Sequence, residues 1–273
     1  MKFFGFVVVC LVGGLLLYGT ADFPDWGDPD SPASTHLSDI YIEHAFEQTQ
    51  VPNIVTAILA DYRGFDTMFE TAVIFCAGLA CFLLLRDFKE RKERFYRHVP
   101  TGVILHVKNS KKALRVGRDF EHIDKDWIPS DLIIKTVCRI LIPFIQIYAL
   151  YVVAHGDFSP GGGFQGGVIF GSSLILLAIS YDLKILVRRI KEKVLGICAA
   201  AGVLVYVGIA AICMPMGKSF LDYSALEMFV FDPHHVRALG MLGVEIGVGI
   251  AVAAVMAIIY INIVSEGRHD EGL

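Results

Sequence analysis

The chain has 273 residues, 55% of them hydrophobic and only 19% charged. A soluble domain carries roughly 25% charged residues, so this composition argues against a soluble globule. The net charge of −4 gives no global basic field of the kind that draws nucleic acid.

Apolar runs of membrane length recur along the chain, at Phe3–Tyr18, Thr67–Leu85, Leu132–Ala154, Phe164–Tyr181, Val194–Cys213 and Leu239–Val264. Crossing the hydrocarbon core takes about 20 apolar residues at 1.5 Å each. Four of the six runs meet that comfortably, and two draw on their flanks. The expected fold is an all-α integral membrane protein of about six transmembrane helices. The first run, followed by Gly19-Thr20-Ala21, has the look of a secretory signal with a small-residue cleavage site, and is read here as a retained helix. Cys10, Cys76, Cys81, Cys138, Cys198 and Cys213 all fall in apolar runs without metal spacing, so they read as small buried hydrophobes.

Charge sorts the connections. Residues 19–56 hold seven acids and no Lys or Arg, whereas Arg86–Ser130 holds twelve Lys or Arg against seven acids. The connection Asp182–Lys193 holds five Lys or Arg against two acids. Cytoplasmic loops collect Lys and Arg, so both termini and the two basic loops are expected inside. Within the long basic segment, Arg86–Arg97 reads as a charged helical extension and Val103–Val107 as a short extended piece. Its interspersed acids make it a solvated face rather than a binding patch.

Ionisable residues within or beside spans are costly and therefore functional candidates. In Asp61-Tyr62-Arg63-Gly64-Phe65-Asp66, followed by Glu70, helical spacing sets Arg63, Asp66 and Glu70 on one face and Asp61 elsewhere. Arg63 neutralises Asp66, which leaves Glu70 about a turn deeper with a weaker partner. Glu245 lies among Gly240, Gly243, Gly247 and Gly249, which permit close helix approach, so its face is expected inside a bundle. It sits about six residues, roughly 9 Å, below the outer surface. Lys135 and Arg139, at i and i+4 near the opposite end of the third span, supply positive charge, and Pro143 beyond them frees a carbonyl.

The turn between the third and fourth runs is His155-Gly-Asp-Phe-Ser-Pro-Gly-Gly-Gly-Phe-Gln-Gly-Gly. Pro160 fixes its start, and Gly161, Gly162, Gly163, Gly166 and Gly167 allow a tight, close-packed structural turn. A dinucleotide loop is excluded because no strand precedes it. No metal-ligand spacing or nucleophile–base pair appears, and no cofactor site is expected; the acids point to Na+ or H+ as a transported ion.

Ser130–Tyr181, with Lys135-Thr136, Arg139, Pro143 and the Pro-Gly-Gly-Gly turn, resembles the B subunit (MnhB family) of Mrp-type Na+/H+ antiporters, as does Val244-Glu-Ile-Gly-Val in the last run. Asn53–Thr67 with Glu70 is similar to the C-terminal tail of the Mrp A subunit, which stands alone as the E subunit of Mrp-derived membrane-bound hydrogenases. The family's motif follows Gly-His, where this chain has His155-Gly156-Asp157. The resulting division is a two-helix segment over 1–86, a basic connector over 87–129, a four-helix MnhB-like domain over 130–264 and a tail over 265–273.

The resemblance implies a non-catalytic subunit of a cation/proton-translocating module in a prokaryotic cytoplasmic membrane. The implied partners are other Mrp subunits, hydrogenase-like or iron–sulfur subunits and the lipid bilayer, with no nucleic acid. A pure scaffold role is the alternative. The expected ion route runs through Glu70 and Glu245, with Asp66 helping, Arg63 tuning, and Arg139 and Lys135 setting the potential at the inner end.

Overall fold

The computed structural model describes residues 2–85, 93–101, 103–108, 119–123, 132–181, 183–229 and 235–265. It divides into two compact units, residues 1–48 and 49–273. The first holds α1 (Lys2–Gly19) and nearly all of α2 (Ser38–Thr49). The second begins with a single α-turn, α3 (Ile54–Thr56), which widens into a π-helical turn over Ala57–Tyr62 and leads into α4 (Gly64–Leu85).

After α4 comes a small antiparallel sheet of β1 (Glu93–His98), β2 (Ile104–Lys108) and β3 (Phe120–Ile123), with β1 in the middle. The remaining helices are α5 (Leu132–Ala154), α6 (Gly163–Tyr181), α7 (Leu183–Arg189), α8 (Glu192–Ile212) and α9 (Val236–Val264).

Six described helices are long and apolar enough to cross a membrane: Phe3–Asp22, Gly64–Leu85, Leu132–Ala154, Gly163–Tyr181, Glu192–Ile212 and Val236–Val264. The six apolar runs of the sequence coincide with them. The all-α membrane architecture is therefore as expected.

The basic connector departs from expectation over 93–97, which is strand rather than helix. Glu93 to Arg97 pair in register with Lys108 to Ile104, and Phe95 to His98 pair with Ile123 to Phe120. Cross-strand pairing on both edges, with Tyr96 buried, outweighs the local helical charge pattern. The extended piece expected at Val103–Val107 is the strand β2. The part of the expected helical extension at 86–92 and the tail at 266–273 lie outside the described residues.

Helix α9 is the axis of the second unit, and small residues bring the other spans onto it. A methyl at Gly202 of α8 would run into the Gly247 carbonyl. One at Gly167 of α6 would stand 2.7 Å from the Gly249 oxygen, and one at Gly78 of α4 would stand 2.8 Å from Val255. In lipid, where water drives no helix association, such close backbone approach is a main source of cohesion. Two apolar clusters fill the space between. One, around Val51, Tyr206, Tyr223, Met241 and Val244, lies at the end where α9 begins. The other, around Leu186, Leu195, Ala257 and Ile261, lies at the end where it finishes.

A carboxylate cradle at the glycine-rich loop

The loop from His155 to Gly162 folds back on the last turn of α5. Phe158 and Ser159 donate backbone N–H bonds to the His155 carbonyl, and Gly162 donates to Val152 O at 3.2 Å. Gly162 has φ +132°, a backbone conformation that side-chain-bearing residues rarely adopt. The loop then enters α6 at Gly163, where a Cβ would collide with the main-chain carbonyl of Glu245. The glycines therefore let the loop lie directly on α9, at the level of its one acid.

Glu245 turns its carboxyl group into that loop. A Cβ at Gly156 would stand 2.7 Å from Oε2, and one at Gly162 would stand 2.8 Å from Oε1. Oε2 is buried and receives no hydrogen bond from any described residue. The same holds for Oδ1 of Asp157, in the loop itself. Asp157 is near enough to act electrostatically on Glu245. Burial pushes the Asp157 carboxyl above its ordinary range. Two half-buried carboxyl groups, each with one buried oxygen that no described residue hydrogen-bonds and with no ion pair among the described residues, are an arrangement that favours a proton or a bound cation.

The loop is held in place from the other half of the chain. Asn53 donates from Nδ2 to Gly156 O at 2.7 Å and to Ser159 O at 2.9 Å, while its backbone N–H bonds to Asp157 O at 3.0 Å. Thr56 Oγ1 donates to the same Gly156 carbonyl at 2.8 Å. Asn53 also caps the turn it starts, accepting from Val55 N–H. One side chain thus starts a helix and clasps the loop that frames Glu245.

Beyond the clasp, two buried tyrosines bond to main-chain carbonyls of the π-turn and of the first residue of α4. Tyr223 Oη donates to Ala60 O at 2.9 Å, and Tyr206 Oη donates to Gly64 O at 2.8 Å. Tyr206 lies within electrostatic reach of both Glu245 and Glu70. Asp61, at the end of the π-turn, pairs with Arg237 in the first turn of α9. Nη2 donates to Oδ1 at 3.1 Å, and Nε approaches Oδ2 at 3.0 Å without the direction of a hydrogen bond. The Asp61 side chain is 8% exposed. Burial raises its pKa, and Arg237 opposes the rise.

The other sequence candidates are distributed as follows. Glu245 sits nine residues into α9, because the helix begins at Val236 rather than Leu239, so it is about a turn deeper than expected. Arg63 and Asp66 form the expected ion pair, on an exposed face. Glu70 is also exposed. Lys135 stacks over the Tyr181 ring at 5.3 Å, and Arg139 is exposed. Arg139 is fifteen residues from the end of α5, roughly 22 Å along the helix, so the basic pair is remote from the cradle.

Pro160 lies exposed in the loop, and Gly161 packs on the Val152 carbonyl. Gly166 packs on the Ala149 carbonyl of α5. His155 is exposed and stacks on Tyr151 at 4.1 Å.

Sequence reasoning missed Asp157, Asn53 and the Asp61–Arg237 pair. Asp157 had a signal, an acid inside a glycine turn that must pack tightly. The other two join residues more than a hundred positions apart and carry no local signature.

Six described helices of membrane length, five of them in a unit that seats an acid of its last helix under a glycine-rich loop, define a multi-pass membrane protein, and comparison with known proteins gives its lineage. Residues 133–258 match the family described as a domain related to the MnhB subunit of Na+/H+ antiporter. Residues 29–99 match MbhE, the family described as the E subunit of MBH. A putative antiporter subunit mnhB2 of Staphylococcus haemolyticus is 31% identical over 137 residues, which cover 48% of this chain and 92% of the relative.

Among solved structures, the Mrp complex from Dietzia sp. contains a chain that is 24% identical with a TM-score of 0.59. The likeness covers 97% of this chain and 26% of that one. The archaeal membrane-bound sulfane sulfur reductase, a respiratory membrane complex, contains a chain that is 24% identical with a TM-score of 0.57. Here the likeness covers 96% and 97%. The chain belongs to the MnhB family of antiporter subunits and carries an MbhE-type segment ahead of it.

Proposed function

We propose that this chain is a membrane subunit of an Mrp-type Na+/H+-translocating module. In this reading Glu245 and Asp157 form a way-station on the ion route. The observation that carries it is two buried carboxyl oxygens that no described residue hydrogen-bonds, one on Glu245 beneath the glycine-rich loop and one on Asp157 within it, close enough to act on each other electrostatically. Unpaired intramembrane acids are expensive, and a proton or Na+ that comes and goes is the compensation that suits them. The positive-inside rule sets the cradle toward the outer face, with both termini and the basic sheet inside a prokaryotic cytoplasmic membrane.

Glu70, Asp66 and Arg63 lie on an open helix face. A carboxylate facing hydrocarbon there is costly. In this reading the face belongs against a neighbouring Mrp-type subunit, which completes the route from Glu70 past Tyr206 to Glu245. Arg139 and Lys135 set the potential at the inner end. The MbhE-type segment on the same chain favours a larger redox-driven complex with hydrogenase-like or iron–sulfur partners. Affinity purification from mild detergent and mass spectrometry of the co-purifying chains decides that point.

The central test is Na+-driven proton exchange in everted membrane vesicles carrying Glu245→Gln, with assembly checked on native gels. The expected result is an intact complex whose exchange falls to background. Wild-type exchange in that variant overturns the route, and dissociation of the complex favours the scaffold role instead.

A further inference from the structure

At the opposite end of the bundle from the cradle, α4, α8 and α9 leave a cleft of about 920 Å³ between them. Its walls are apolar, formed by Phe75, Leu79 and Phe82 of α4, Ile197 of α8, and Val255 and Ile258 of α9. Gly196 of α8 lines it, and a Cβ there would meet nothing within 4 Å, so the slot runs open along the helix. The end of the cleft is basic. Arg188, Lys191 and Lys193 line it, all exposed, and among the described residues no ion pair neutralises them. The single acid in the lining, Glu192, accepts a hydrogen bond from Asn262 of α9 at 3.3 Å.

We infer that this cleft binds an anionic diacyl phospholipid, with its phosphodiester among Arg188, Lys191 and Lys193 and an acyl chain in the slot beside Gly196. The charge argument selects the occupant. Basic pockets between transmembrane helices recognise anionic headgroups, and a phospholipid brings a negative group and an apolar chain in one molecule. The arginine is suited to a phosphate by its forked donors, and the lysines are suited as point charges. The three cations sit in the last turn of α7, at the N-cap of α8 and in the first turn of α8, at the level where a span meets the headgroups. The inference stands apart from the ion route and needs no residue of it.

The test uses the whole complex, purified in mild detergent, stripped of loosely held lipid, and titrated with phosphatidylglycerol or phosphatidylcholine under native mass spectrometry. The wild-type complex is expected to retain phosphatidylglycerol in preference to phosphatidylcholine. Replacing Arg188, Lys191 and Lys193 together by Gln is expected to weaken that retention roughly a hundredfold, about a factor of five for each cation removed. Gly196→Leu fills the slot without touching a charge, and it is expected to expel the lipid while subunit composition is unchanged. Equal retention of the two lipids by the wild type overturns the inference, and so does equal phosphatidylglycerol retention in all three proteins. A photocrosslinker at position 196 that captures a partner subunit's helix instead of lipid overturns it as well.

Discussion

Two acids at the same end of the bundle have met opposite fates. Asp61 is buried against Arg237 of α9, and its charge is answered within the chain. Glu245 lies two turns further along the same helix, its carboxyl against the glycine loop and within electrostatic reach of Asp157, with no cation paired to it among the described residues. The first arrangement fixes α9 to the π-turn. The second leaves a buried carboxyl oxygen without a partner among the described residues, and in the proposed reading a mobile ion supplies that partner. Burial alone therefore does not separate the two acids; the missing partner does.

The largest effect on stability is expected where the comparison is broken on its paired side. Arg237→Met leaves Asp61 buried and unanswered, which is expected to destabilise the bundle by about 3 kcal/mol, held to that level by the 38% exposure of Arg237. The melting temperature of the detergent-solubilised complex reads it. Adding Asp61→Asn to the same chain is expected to restore most of the loss. If the double variant melts as low as the single one, Asp61 is not what Arg237 neutralises.

A smaller effect follows from loosening the unpaired side. Asn53→Ala removes the two side-chain hydrogen bonds to the loop and strands the Ser159 carbonyl, while the Asn53 backbone and Thr56 bonds remain, a loss of about 1–3 kcal/mol. Exchange through Glu245 is expected to slow with it, whereas Asn53→Asp keeps the cap and still loses the clasp. A Glu245-dependent exchange rate unchanged in Asn53→Ala would separate the loop from the route.

The smallest effect is a pH signature. Burial raises the pKa of Asp157, so the folded state binds a proton more tightly there than the unfolded chain does. The resulting penalty is absent below the ordinary carboxylate pKa of about 4 and grows as the pH rises above it. Asp157→Asn is therefore expected to melt higher than wild type at neutral pH and level with it under acid conditions. A stabilisation that is the same at both pH values would assign the gain to something other than the charge.

The sequence made the spans readable because lipid imposes long apolar runs, and it made α9 readable as an interior helix because its glycines cluster. Glu245 followed from that helix. Other features stayed hidden for physical reasons. The pattern at Arg63, Asp66 and Glu70 told that they share a face, yet a shared face carries no information on whether it meets the bundle or lies open. The strand at 93–97 was hidden by charges that suit a helix equally, since pairing with 104–108 and 120–123 decides it. Asn53 and Arg237 act through partners 103 and 176 residues away, at distances no periodicity spans.

The most direct measurement is infrared difference spectroscopy of the purified complex on adding Na+. If Glu245 exchanges a proton for a cation in the cradle, Na+ removes a protonated-carboxyl band, and that change is absent from Glu245→Gln while surviving in Asp61→Asn. A band change that persists in Glu245→Gln, or none in the wild type, would contradict the account.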